Sequence, residues 1–233
     1  EGGGQLHVFD PRYRHIADGS GQLEEDLHGA VERGEMYTEY QPIVITATSE
    51  ISGFETFVRW AHPSRGRLAP STFISLAEHS GLIKDIGQWV LRQACLDLRS
   101  WQDKRSGQQA GLTMSVNVAP RELLATGFAE RVARTLSAGT TCPPLLTLEV
   151  TESAFVHDSE SVRTVLNDLK DIGVNIALDG FGTGACSLSH LSQFPIDSVK
   201  LDRSLTGDLG SDPVKLIIAG AVISFSVSGC GAG

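Results

Sequence analysis

The chain is 233 residues long, 41% hydrophobic, with a formal net charge of −9 and a mean hydropathy of −0.03, the profile of a globular chain large enough for one domain. The acidic balance disfavours a nucleic acid polymer as partner, since such binders present a basic face. It leaves open a small phosphorylated ligand, which needs only a few local cations or a bound metal.

Residues 1–20 are polar and loop-like and open on EGGGQL, which reads as linker or as the cut edge of a longer protein; residues 21–233 read as one domain. A helix is expected over 21–33, because Leu23, Leu27, Ala30 and Val31 share one helical face. YQPIVIT (40–46) and FETFVRW (54–60) read as strands. Ser71 is expected to cap a short helix through STFISLAEH. A longer helix follows, with Ile83, Ile86, Val90, Ala94, Leu98 and Trp101 along one face. LTMSVNV (112–118) predicts a strand and FAERVARTL (128–136) an amphipathic helix. LTLEVTES (146–153) predicts a strand, SVRTVLNDLKDIG (161–173) a helix closed by Gly173, NIALDGF (175–181) a strand and SVKLDRS (198–204) another. A last apolar helix is expected from about Asp212. Its run LIIAGAVISFSV (216–227) is too short and too interrupted to span a bilayer, and no basic segment precedes an apolar core at the N-terminus. Cys95, Cys142, Cys186 and Cys230 form no C-x-x-C pair, so neither a zinc site nor a disulfide framework is expected. A reduced, cytoplasmic setting fits, including the cytosolic part of a larger membrane-bound protein.

Repeated strand–helix units predict an α/β fold with parallel strands, either a barrel or an open doubly wound sheet. No G-x-G-x-x-G follows the first strand, which removes the strongest Rossmann signal. Glu55, Asn117, Glu149, Glu152, Asp179, Lys200 and Asp202 all fall within predicted strands or at their C-terminal ends. Separate strands delivering one polar residue each to a common rim is how a (β/α)8 barrel builds a site.

Glu55, Asn117, Glu149 and Asp179 offer only oxygen ligands, which suit Mg2+ or Mn2+ rather than zinc or copper. Lys200 adds a cation to the same rim. Such a set suits hydrolysis of a phosphate ester, the ion activating water and neutralising phosphoryl charge, the lysine steadying the water or the oxyanion. Arg59 offers a planar fork for a phosphate oxygen. The plainer reading pairs Arg59 with a core carboxylate and Asp202 with Lys200. It leaves Thr151 as a strand residue and His62 and His190 at the surface.

Taken in order, YQPIV (40–44), ETFVRW (55–60), LAPSTFISLAEHSGLI (68–83), VNVAPREL (116–123), LEVTES (148–153), LDGFGTGACSLSHL (178–191) and VKLDRS (199–204) resemble the motifs of EAL domains, phosphodiesterases of cyclic di-GMP. The resemblance runs from about Leu27 to Val222. It implies a modified TIM (β/α)8 barrel whose first strand is antiparallel to the rest. It implies that Glu55, Asn117, Glu149 and Asp179 resemble the metal ligands, that Glu55 and Lys200 are similar to catalytic residues, and that Lys200 holds the water. Gln41, Arg59 and Asp202 resemble residues on the substrate side. Glu152 is similar to the glutamate that steadies the loop after Asp179, about 183–188, which in the family also takes part in homodimer contacts. The family makes linear pGpG with Mg2+ or Mn2+ and is inhibited by Ca2+. DLHGAVERGEMYTEYQP resembles the connector that follows a GGDEF domain in tandem proteins.

The sequence departs from the family pattern at three places. The signature tripeptide reads Glu55-Thr56-Phe57, which keeps the ligand and changes its neighbours. Gly180 stands where the family has a second aspartate, so the second metal site is expected to be weakened. Two-metal hydrolysis places an ion on each side of the reaction, and losing one ligand is expected to cost about 2–4 kcal/mol of transition-state stabilisation, the scale of one lost oxyanion donor. After residue 225 nothing matches the family's last strands or its A-E-G-V-E glutamate, so the barrel is expected to be incomplete at its C-terminal end, with exposed strand edges. Three functions follow as expectations: a slowed phosphodiesterase, a cyclic di-GMP receptor without turnover, or a dimerisation and interaction module.

Overall fold

The computed structural model of the protein describes residues 21–104, 111–139, 141–157, 159–182 and 192–207. The expected helix from Asp212, the 183–188 loop, His190 and the C-terminal tail lie outside the described residues.

Helix α1 (21–27) buries Leu23 and Leu27 and then gives way to turns over 28–34, so the helix expected to residue 33 is shorter. Arg33 closes that end by donating from Nη1 to the His28 carbonyl (2.7 Å) and from Nη2 to the Asp26 carbonyl (2.5 Å), carbonyls a continuing helix would have paired. Strands β1 (Met36–Val44) and β2 (Ile51–His62) form an antiparallel hairpin, and β3 (Gly66–Leu68) folds back on the end of β2. Both long strands start earlier than the sequence predicts, and β2 also ends later, because cross-strand pairing carries them through weakly apolar residues.

Helix α2 (Pro70–Ser80) starts one residue before the expected cap. Ala69 is its N-cap, with no side-chain cap, and Pro70 leads the first turn. Proline there has its backbone angle preset and lacks only an N–H that would go unpaired anyway; Ser71 lies inside the turn. Next come α3 (Ile83–Lys104), β4 (Thr113–Val118), α4 (Pro120–Leu123), α5 (Phe128–Gly139), β5 (Leu146–Thr151), α6 (Ala154–His157), α7 (Ser159–Ile172), β6 (Asn175–Phe181), β7 (Ser198–Leu201) and α8 (Arg203–Thr206). Helix α7 ends at Gly173, which has φ +94°, as the sequence predicts. The strand expected over 198–204 stops at Leu201, because the Asp202 side chain accepts from the Ser204 N–H (2.8 Å) and caps α8.

The sheet runs β1-β2-β4-β5-β6-β7, antiparallel only in the hairpin and at β3, parallel elsewhere. This is the α/β fold with a reversed first strand that the sequence predicts. Register sorts its two faces. Glu55 sits opposite Gln41 and Ser115, Asn117 opposite Glu149, Thr151 opposite Asp179, and Ala177 opposite Ser198. One face is therefore polar. The other carries Met114, Val116, Leu148, Val150, Ile176 and Leu178, all buried in the core. Trp60 anchors the hairpin to that core: it is 0% exposed, meets the Phe73 ring edge-on at 5.7 Å, and donates its indole N–H to Glu35 (3.0 Å). Removing such a side chain costs about 3–5 kcal/mol. His62, expected at the surface, is 4% exposed. Its Nδ1 accepts from the Ser64 and Arg65 N–H groups, and Nε2 faces Asp26 at 3.1 Å, tying α1 to the hairpin.

Candidate active site

The polar ends of five strands converge. Lys200 on β7 donates from Nζ to Glu55 Oε2 on β2 (2.8 Å) and to Glu149 Oε2 on β5 (2.6 Å), and Asp179 Oδ1 on β6 stands at 3.8 Å. Asn117 on β4 donates from Nδ2 to Glu55 Oε1 (3.0 Å). Each residue occupies an inward position of its own strand. The register sets Asn117 level with Glu149 and staggers Glu55 and Asp179 by two residues to either side, on the same face of the sheet.

Glu149 is 1% exposed. Burial outweighs the nearby ammonium and pushes its carboxyl up to about 7. Burial also works to raise Glu55, but the hydrogen bonds and charge of Lys200, with Asn117, hold it below the usual carboxylate range. Burial alone would lower Lys200; the two glutamates reverse this and keep it charged. The site thus holds one fixed cation between two glutamates whose environments push their carboxyls in opposite directions.

Among the described residues no group of three or more His, Cys, Asp or Glu stands arranged as a metal cage. The ammonium of Lys200 lies where the carboxylates converge. The donors themselves are hard oxygens on adjacent strands, and that chemistry fits a divalent ion such as Mg2+ or Mn2+.

Beside the acids lies a cavity of about 590 Å³. Glu55, Asn117 and Asp179 form its rim. Phe57, Ile74 and Ile86 form part of its apolar wall. That volume lies in the range of small-molecule sites.

Gln41 and Arg59 lie farther along the hairpin, lining a second hollow of about 240 Å³ with Glu39 and Phe57. The Arg59 guanidinium lies 2.9 Å from Glu39 Oε2 and 5.6 Å from the centre of the Phe57 ring. Its carboxylate partner therefore stands at the rim of this hollow, not in the core. Asp202 caps α8, in place of the Lys200 pairing of the plainer reading. Glu152, buried just past β5, accepts from the Gly182 N–H (2.9 Å), the last described residue before the 183–188 loop. Thr151 shares a hydrogen bond with Ser153 (2.9 Å) at the cavity edge.

Gly180 has φ +73°, and a Cβ added there would meet nothing within 4 Å. The position is open but left-handed, a conformation that aspartate and asparagine tolerate better than other side chains.

Glu39, Phe57 and Ser115 escaped the sequence reading. The signal was the two-residue alternation Glu39-x-Gln41 and Glu55-x-Phe57-x-Arg59, which puts all five side chains on one face. Glu122 also escaped it. This residue is buried in the cavity wall against α3, where an added Cβ on Gly87 would lie 2.2 Å from both of its carboxyl oxygens.

An α/β barrel frame with one reversed hairpin, with oxygen donors and a lysine at its strand ends, defines the class. The chain belongs to the EAL domain family, whose model matches residues 24–228. It is 36% identical to the bifunctional diguanylate cyclase/cyclic di-GMP phosphodiesterase MucR of Pseudomonas aeruginosa, over 87% of this chain and 29% of MucR. It is also 36% identical to the cyclic di-GMP phosphodiesterase NbdA of the same organism, over 88% of this chain and 26% of NbdA. The chain thus spans about a quarter to a third of these relatives. Among solved structures, the MucR phosphodiesterase in its c-di-GMP complex superposes with a TM-score of 0.81 at 35% identity, covering 89% of this chain and 83% of that one. The EAL enzyme Bd1971, with cAMP and cyclic di-GMP bound, gives 0.84 at 30% identity, covering 91% and 58%. Among the described residues no helix is long and apolar enough to cross a membrane.

Proposed function

We propose that this chain is the metal-dependent cyclic di-GMP phosphodiesterase part of a longer protein, with turnover to pGpG slowed by Gly180. The observation that carries the reading is the Lys200 ammonium held between Glu55 and Glu149 at the rim of the 590 Å³ cavity. Glu55, Asn117, Glu149 and Asp179 would hold Mg2+ or Mn2+. The ion, when bound, supplies positive charge at the phosphoryl group. Lys200 orients the attacking water and steadies developing negative charge, its own charge maintained by the two glutamates. Gln41 and Arg59 bind the dinucleotide, Asp202 shapes the rim, and Glu152 fixes the start of the 183–188 loop.

A second reading, a receptor that binds without turnover, is favoured by Gly180 itself, which adds no carboxylate where open space would take one. The proposed setting is cytoplasmic, with a GGDEF domain preceding this part and a homodimer as assembly.

The test titrates cyclic di-GMP calorimetrically with Ca2+ and then with Mn2+, following the Mn2+ sample by chromatography for pGpG. Binding with slow product formation is expected, and Gly180→Asp should raise kcat by roughly 10- to 1000-fold. Binding without product in both chains makes the protein a receptor. Absence of binding in either metal overturns both readings.

A further inference from the structure

A groove of about 580 Å³ lies on the outside of the barrel, between α3 and α5. Arg92 from α3 and Arg131 and Arg134 from α5 line it, and no carboxylate does among the described residues. Gln88 donates to Thr135 Oγ1 (2.9 Å) and ties the two helices together at this groove. Leu96 contributes an apolar surface and is 49% exposed.

Three guanidinium groups lining one groove repel one another, and in a chain of net charge −9 carboxylates are available to neutralise them. Among the described residues none of them lines the groove, although behind it the Arg131 charge acts on the buried Glu122 carboxyl. Arg131 spends Nη1 on the Thr126 carbonyl (2.7 Å). Its Nη2 is buried and has no hydrogen-bond partner. A buried donor left unpaired is unfavourable by about 1–3 kcal/mol, more when it carries charge. An anion held in the groove would stabilise that guanidinium through its charge, the buried nitrogen itself being closed to solvent. Arg92 and Arg134 are exposed.

We infer that the α3–α5 groove is a second ligand site, separate from the catalytic cavity, for a phosphate-bearing small molecule of nucleotide size. The arginines match a di- or trianionic phosphate in charge and in the planar geometry of their donors. A lone carboxylate side chain of a protein partner would leave most of that charge unmatched. The volume exceeds what inorganic phosphate fills, and the Leu96 surface accepts a base or another apolar moiety. The inference does not depend on turnover at the catalytic site.

Calorimetric titration of the whole chain with inorganic pyrophosphate, and separately with ATP, tests it. Saturable binding is expected for both, tighter for ATP. The Arg92→Gln/Arg134→Gln double variant, altered only at exposed positions, should lose at least about tenfold in affinity with an unchanged thermal melt. Lys200→Met should retain the binding, which separates the groove from the catalytic cavity. Loss in Lys200→Met with retention in the double variant moves the ligand to the cavity and overturns the inference. Absence of binding in the wild-type chain overturns it, and so does arginine-dependent binding of a polyglutamate peptide alone, which would make the groove a protein-docking surface.

Discussion

Two cavities of nearly equal volume, about 590 and 580 Å³, lie on the two sides of helix α3 and differ in charge. The inner one is lined by Glu55, Glu78, Glu122 and Asp179, with Lys200 held at its rim against Glu55; the outer one is lined by arginines and by no carboxylate among the described residues. At the inner cavity the Lys200 ammonium is answered within the chain by Glu55 and Glu149. In the outer groove a guanidinium nitrogen has been left unanswered. The difference has a structural origin. Inward side chains of adjacent parallel strands stand level and meet, whereas helix side chains on an outer surface meet only their own turns and one neighbouring helix. A rim of strand ends can complete itself; a groove between two helices depends more on what comes from outside.

The largest break in this comparison should come from Lys200→Met. It removes the cation held between Glu55 and Glu149 and leaves Glu149 buried beside another acid. Turnover of cyclic di-GMP is expected to fall by roughly 100- to 1000-fold, measured as pGpG formed under saturating Mn2+. Unchanged turnover would remove Lys200 from the mechanism.

The next effect concerns the wall that the cavity shares with α3. Burial pushes the Glu122 carboxyl up to about 8, against the opposing charge of Arg131. A raised carboxyl favours the folded state while it stays protonated. Its contribution is complete below the ordinary carboxyl value of 4.5 and declines as pH rises to about 8, at no more than roughly 1.4 kcal/mol per pH unit. Glu122→Gln should therefore raise the melting temperature at pH 8 relative to the wild type and leave it nearly unchanged at pH 4, read by thermal melts across that range. Equal shifts at both pH values would show that folding does not raise the Glu122 carboxyl.

The smallest effect lies on the hairpin. Glu39 engages both Arg59 (2.9 Å) and Arg67 (2.7 Å), so it competes with any phosphate that Arg59 would bind. Glu39→Gln should tighten cyclic di-GMP binding several-fold, within the about 0–1 kcal/mol of a partly exposed ion pair, and leave kcat unchanged. Weaker binding would mean that Glu39 positions Arg59 rather than competing for it.

Much of this was legible beforehand. The apolar spacing in α3 and α7 marked those helices, and Gly173 marked the end of α7. Asp202 misled because an aspartate after a strand reads equally as strand end or helix cap; only the Ser204 N–H, 2.8 Å from its carboxyl, decides. Ser71 misled for the related reason that a proline one residue earlier already starts the helix. His62 misled because a histidine beside Pro63 looks like a surface turn, and its burial depends on Asp26, 36 residues away.

The sequence by itself determined the alternation of strands and helices, the residue types at the strand ends and the family. These are local facts, carried by periods of two and 3.6 residues and by motifs a few residues long. The tertiary structure alone decided that Lys200 meets Glu55 across 145 residues of chain at 2.8 Å, that Arg59 is engaged by Glu39, and that three arginines on two helices line one groove. Those depend on strand register and helix packing, which are set by hydrogen bonds and contacts between segments far apart in the chain.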